Sequence, residues 1–192
     1  MTATAGTTGA VPGFHADTLE RLFARCFADS HSTRLRGGAA EPLYKPAASG
    51  NGEHTIYYRE DYFASALHEV AHWCIAGPER RKQLDFGYWY TPDGRSPEQQ
   101  QAFERVEYKP QALEWLFSLA CGYPFTVSVD NLEGYSQPDT RAFRRAIFEQ
   151  AQYWRQCGLP ARAQTYFLAL SCHFGSGRAP AQVCLDTAEL NL

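Results

Sequence analysis

Hydrophobic side chains recur every three or four residues along most of the chain, and this spacing predicts its main helices. A first amphipathic stripe predicts a helix over about residues 17–29, with an apolar face built for a protein core. Three further helical segments are predicted: one from near Asp61 to Gly77, one from Ser96 to near residue 108, and one from Pro110 to about Cys121. The apolar stripes of residues 143–154 and 163–174 predict two more helices.

Proline and glycine set the expected limits of these helices. Ser96 followed by Pro97 is typical of a helix start, since serine caps the first turn and proline fits it. Pro110 lacks a backbone N–H and disfavours helical angles at Lys109, so a break or kink is expected near residues 108–110. Gly122 is expected to end the following segment.

Shorter segments with aromatic and β-branched residues predict strands at residues 54–59, 84–90 and 125–129, while residues 33–44 are expected to be extended or looped around Gly37 and Gly38. The strand at 54–59 leads directly into a predicted helix. This order predicts a mixed α/β (α+β) fold in which a small central sheet is flanked by helices.

Length and composition indicate one ordered domain. The first 13 residues, rich in Thr, Ala and Gly, predict a flexible tail, and residues 14–192 a single catalytic domain. Hydrophobic residues make up 44% of the chain and aromatic residues 14%, which is enough to build a core. A net charge of −3 argues against a general nucleic-acid partner.

The expected location is the cytoplasm, without a membrane partner, because no apolar run reaches the roughly 18–20 residues that span a bilayer and no basic-then-apolar leader is present. The six cysteines are scattered without a CxxC pair and mostly have apolar neighbours, so we expect buried, reduced thiols.

The most informative motif is an HExxH box formed by His68, Glu69 and His72 inside the apolar helix that Asp61 is expected to cap. Residues four apart on a helix project from one face with Cβ atoms roughly 5–6 Å apart, so two imidazoles can bind one ion. The box therefore predicts a metal site on this helix.

A catalytic metal usually has three protein ligands. The remaining histidines lie in unrelated contexts, so a carboxylate is the expected third ligand, and the candidates are Asp85, Glu104, Glu107 and Glu114. Glu107 is favoured because it precedes the expected break at Pro110, where free N–H groups of the next helix would orient a carboxylate.

Two histidines and a carboxylate serve both non-haem Fe(II) oxygenases and zinc peptidases, and spacing does not separate the two. In a peptidase, Glu69 would be the general base acting on metal-bound water. In an oxygenase, the same residue would orient a ligand or handle protons. A third alternative is a non-catalytic binding module in which the metal is structural.

Four blocks in order carry a more specific resemblance: ALHEVAHWCIAG at 66–77, DFGYWY with PDGR at 85–95, VEYKPQAL at 106–113 and VSVDNL at 127–132. Together they resemble the bacterial elongation factor P hydroxylase family. The resemblance implies hydroxylation of the β-lysylated lysine of elongation factor P, as the last step of that modification. It also implies Fe(II), or another divalent metal such as zinc, with O2 as co-substrate, and a fold similar to a bacterial metal-dependent endoribonuclease.

The resemblance carries over His68 and His72 as metal ligands, with Glu107 as the third. A substrate that bears amino groups needs nearby carboxylates, and Asp85, Glu104 and Asp130 lie in or near the same blocks as the ligands. These three acids are the predicted substrate-binding residues. The competing prediction is a zinc metallohydrolase or peptidase of the HExxH type.

Overall fold

A computed structural model of the chain describes residues 13–48, 52–86, 95–129 and 140–192. Within these ranges the protein is a mixed α+β structure with five α-helices and one three-stranded sheet. The predicted tail falls on residues outside the described ranges, apart from Gly13, and the single catalytic domain stays a prediction.

The sheet consists of β1 (Thr33–Ala39), β2 (Leu43–Lys45) and β3 (His54–Arg59), in the order β1-β3-β2. β3 lies in the middle, parallel to β1 and antiparallel to β2. Its Ile56 and Tyr58 are buried, as expected of a central strand that packs on helices. The predicted strand at 54–59 is confirmed.

The described residues form five helices: α1 (Ala16–His31), α2 (Phe63–Ile75), α3 (Pro97–Cys121), α4 (Arg141–Cys157) and α5 (Ala161–His173). Of these, α1 and α2 pack on the sheet. α2 lies at the centre, because it packs against α3, β3, α1 and α5. Four of its apolar residues, Ala66, Leu67, Val70 and Ala71, have no exposed surface. The predicted helices at 17–29, 143–154 and 163–174 are confirmed.

The prediction that Asp61 caps α2 is wrong. Glu60 adopts a left-handed φ of 46°, and the Tyr62 N–H donates to the Arg59 carbonyl, so a tight turn joins β3 to the helix. This turn makes Tyr62 the N-cap residue, without a side-chain cap. The predicted capping at Ser96 is confirmed, because Ser96 and Gln99 form a reciprocal capping box at the start of α3.

Of the break or kink predicted near residues 108–110, the break is wrong, since α3 runs without interruption from Pro97 to Cys121 and ends at Gly122. A proline inside a helix costs about 3 kcal/mol, through a lost hydrogen bond and a clash with the preceding turn. Here every residue from 111 to 118 is buried, including Trp115 and Leu116 with no exposed surface. Packing of the whole second half of α3 outweighs the local cost of the proline.

The predicted strand at 125–129 is not a strand. Phe125 and Val127 are buried in alternation, but the backbone hydrogen bonds of Ser128 go to the side chain of Gln111 on α3. This amide takes the place of a neighbouring strand. In the predicted strand at 84–90, Asp85 forms a single β-bridge with Tyr44, and residues 87–90 lie outside the described ranges.

The expectation that all cysteines are buried is only partly right. All six are free thiols, but Cys157, Cys172 and Cys184 are exposed, while Cys74 and Cys121 are buried. The exposed three lie on or beyond α4 and α5, on faces turned away from the core. Within the described residues, no helix combines the length and the apolar character that crossing a bilayer requires.

Candidate metal centre

His68 and His72 lie one turn apart on α2, on the side that meets α3. The apolar residues of α2 pack into the core around them, which fixes the direction of both histidine side chains. The imidazoles are partly buried, with side-chain exposures of 23% for His68 and 14% for His72. Both imidazoles therefore keep some contact with solvent.

Three ligand groups converge at this point. The Nε2 atoms of His68 and His72 are 2.9 Å apart. The carboxylate of Glu107, from α3, spans the pair, with Oε2 at 3.4 Å from His68 Nε2 and Oε1 at 3.4 Å from His72 Nε2. Neighbouring ligand atoms that are each about 2.1 Å from one ion lie about 3.0–3.4 Å apart. The three side chains therefore fit a single divalent metal ion.

Electrostatics favour the charged forms in this cluster. Burial by itself lowers the pKa of His68, but its hydrogen bonds to Glu107 and Glu114 outweigh burial and hold the pKa well above the usual value. For Glu107, burial acts to raise the pKa, yet the charges and hydrogen bonds of His72 and His68 lower it strongly. Glu107 is thus a carboxylate, 4% exposed, and ready to bind a cation.

Glu114 lies on the opposite edge of His68. Its Oε2 atom is 2.8 Å from His68 Nδ1, whereas Glu107 faces the Nε2 atoms of both imidazoles. Two of the four carboxylates that the sequence left open as third ligands, Glu107 and Glu114, are thereby distinguished. Glu107 belongs to the converging group, and Glu114 contacts the ring nitrogen that points away from it.

A pocket that opens to solvent adjoins the cluster, because His72 and Glu69 form part of its wall. Tyr44, Arg80 and Asp85 lie on other sides of this pocket. Burial raises the pKa of Glu69. No hydrogen bond or ion pair joins the Glu69 carboxylate to another side chain in the described part of the chain.

The predicted substrate-binding acids are dispersed. Asp85 lines the pocket, but its carboxylate pairs with Arg80, whose Nη2 atom donates to Oδ1 at 3.1 Å. Glu104 accepts a hydrogen bond of 3.2 Å from Gln100 on α3 and is not part of the pocket wall. Asp130 lies outside the described residues.

The sequence reasoning favoured Glu107 for a reason that the structure contradicts. No break follows Glu107, and the histidines of α2 hold its carboxylate in place of free N–H groups. Glu114 was among the candidates, but the expected break obscured its relation to Glu107. The two acids are seven residues apart, which is about two turns of an unbroken helix, so they share a face. Arg80 and Tyr44 reach the pocket only through tertiary packing, and no local pattern signals them.

These residues define a class: a mixed α+β protein with a His-His-Glu cluster able to hold a metal ion beside a pocket. A family model described as Elongation factor P hydroxylase matches residues 22–183. A relative from Haemophilus influenzae, named Elongation factor P lysine hydroxylase, is 47% identical over 155 residues, which cover 81% of this chain and 86% of that protein. The chain belongs to the elongation factor P hydroxylase family.

Proposed function

We propose that this protein hydroxylates a lysine side chain of elongation factor P, and that its substrate is the β-lysylated form at the last step of that modification. Family membership and the name of the relative support the reaction. The observation that carries the chemistry is the convergence of His68, His72 and Glu107 beside a pocket. A zinc peptidase would use a similar ligand set, but the family does not favour it.

The proposed metal is Fe(II), held by His68, His72 and Glu107, with O2 as co-substrate. Three protein ligands on one side of an ion leave positions for small molecules on the other side. When bound there, a redox-active metal would supply the activation of O2 that hydroxylation of an unactivated carbon requires. One oxygen atom of O2 enters the C–H bond and the other leaves as water, so the reaction also takes two electrons from an external reductant and two protons. The protein's own residues hold the ion, orient the imidazoles and place the substrate carbon.

The pocket explains how a protein substrate would reach the cluster. Glu69 and His72 both line the pocket, so a side chain that enters it would lie next to the cluster. We therefore propose that elongation factor P docks outside and inserts its modified lysine past Glu69 towards His72.

Glu69 is the proposed catalytic carboxylate. It follows the ligand His68 in sequence, lines the pocket and has a raised pKa, so it can hold or release a proton close to the reacting carbon. Asp85, Glu104 and Asp130 remain proposed contacts for the substrate's amino groups. For Asp85, a substrate ammonium would share a carboxylate that Arg80 already contacts.

Two further proposals follow from the same assignment. A translation factor as substrate places the protein in the cytoplasm. The resemblance in sequence also suggests that the arrangement of α2 and the small sheet is similar to that of a bacterial metal-dependent endoribonuclease.

The mass of elongation factor P tests the proposed reaction. Cells that carry the gene should yield a factor about 16 Da heavier, by one oxygen atom, than cells without it. A gene encoding His72→Ala should not restore this mass. Glu149→Gln, which removes an exposed carboxylate on α4, is the matched control and should restore it. An unchanged mass in the deletion strain would contradict the proposal.

A further inference from the structure

We propose that Glu114 is a positioning residue that sets the tautomer and orientation of His68, so that the Nε2 lone pair points at the metal. The inference rests on the metal site in the proposed function. It gives a role to a buried acid that neither the ligand set nor the pocket uses.

The hydrogen-bond chemistry of the two groups leads to this assignment. A neutral imidazole carries one N–H donor and one acceptor nitrogen, and an ionised carboxylate only accepts. Glu114 Oε2 lies 2.8 Å from His68 Nδ1, so Nδ1 carries a proton, and in the neutral ring that a metal ligand requires this is the one proton of the imidazole. The acceptor lone pair is then on Nε2, the atom that faces His72 and Glu107.

Glu114 is also built rigidly into α3. It is 8% exposed, and its neighbours Leu113 and Trp115 have no exposed surface. A buried carboxylate is costly without a partner, and within the described residues His68 is the partner that meets it. The carboxylate therefore has little freedom to turn towards Nε2 and replace Glu107 as a ligand.

The second imidazole lacks such a support. The hydrogen bond and ion pair of His72 both involve Nε2, and its Nδ1 atom contacts no acceptor among the residues that the structure describes. The support is thus specific to His68. Loss of Glu114 should loosen one ligand of three and leave the others in place.

Metal affinity measures this effect without any turnover. Co(II) is titrated anaerobically against a chromophoric chelator for the wild type, Glu114→Gln, Glu114→Ala and the surface control Glu149→Gln. Partners of metal-bound histidines typically contribute 10- to 100-fold in affinity. We expect a loss of that size for Glu114→Ala, a smaller loss for Glu114→Gln, whose amide oxygen still accepts a hydrogen bond, and none for the control.

A spectroscopic readout separates positioning from general stability. Side-chain ¹⁵N NMR of the wild type at alkaline pH should show His68 with its proton on Nδ1, and Glu114→Ala should lose this preference. The visible Co(II) spectrum should change in the same variant. Glu114→Gln keeps the shape of the side chain, so it provides the comparison even if Glu114→Ala does not fold.

Each outcome decides a different claim. If the wild type binds Co(II) and folded Glu114→Gln and Glu114→Ala bind it within twofold of the wild type with an unchanged spectrum, the positioning role is overturned and the metal site stands. If the wild type binds no Co(II), the metal site of the proposed function fails, and the positioning role fails with it.

Discussion

Arg162 ties α5 to the C-terminal end of α2, the helix that carries both histidines. Its Nη2 atom donates to the carbonyl of Ala76 at 2.7 Å and to that of Cys74 at 3.1 Å. Its guanidinium lies 4.4 Å from the centre of the Trp73 ring. Replacement by methionine keeps the apolar stem of the side chain and removes all three interactions.

The cost of Arg162→Met can be worked out from these contacts. Hydrogen bonds from a charged donor contribute about 1.5–3 kcal/mol, a cation over an aromatic ring about 0.5–2, and a cation at a helix C-terminus about 0.3–1. Burial of the guanidinium opposes these gains, because its Nη1 atom is buried without a partner in the described part of the chain. We expect a net loss of about 2–3 kcal/mol, or roughly 5–10 °C in melting temperature.

Urea denaturation of the metal-free protein measures the change in the free energy of unfolding. Arg162→Lys should lose less, about 1–2 kcal/mol, because an ammonium keeps the charge but does not reproduce the planar contact. Arg145→Met is the control, since Arg145 is 77% exposed and faces Glu149 at 3.7 Å. A loss for Arg162→Met no larger than that of the control would refute the reasoning.

Two further predictions concern the metal-free cluster and the sheet. The pKa of His68 is raised above its ordinary value of 6.5, so its contribution to stability is fully present below pH 6.5 and is lost as pH rises through the raised value. The pKa of Glu107 is lowered from 4.5, so its contribution is present above pH 4.5 and is lost as pH falls through the lowered value. With a chelator present to keep the protein metal-free, the free energy of unfolding of the wild type should exceed that of Glu107→Gln by the largest amount between about pH 4.5 and 6.5. A difference in this free energy that stays constant up to about pH 9 would contradict the reasoning. In the sheet, a Cβ at Gly37 would meet the Glu60 carbonyl at 2.6 Å, so Gly37→Ala should cost about 1–3 kcal/mol in thermal denaturation. A Cβ at Gly77 would meet no atom within 4 Å, so Gly77→Ala should leave the stability nearly unchanged. Equal stability of the two variants would contradict the predicted clash at Gly37.

The spacing of apolar residues was sufficient to predict the helices whose apolar stripe packs against the core. The helices at 17–29, 143–154 and 163–174 have stripes that face the core, and Ser96 signals its capping box directly. Predictions based on the local preference of a single residue were wrong where tertiary packing determines the backbone structure. Pro110 lies inside a helix whose burial outweighs its local preference, and residues 125–129 alternate like a strand but pair with the side chain of Gln111.

The candidate site shows the same limit. The spacing of His68 and His72 on one helix identifies two converging groups, because four residues make about one turn. The third group comes from another helix, so its identity depends on how α2 packs against α3. In an unbroken α3, the spacing of seven residues places Glu107 and Glu114 on the same face. Only the distances from the two carboxylates to the imidazoles assign them different partners.

Anomalous diffraction at the iron edge, from crystals soaked anaerobically with Fe(II), tests the central claim most directly. We predict one ion bonded to His68 Nε2, His72 Nε2 and a Glu107 oxygen, with Glu114 on the far side of His68. An ion bound elsewhere, or one bonded to Glu114 in place of Glu107, would contradict the account.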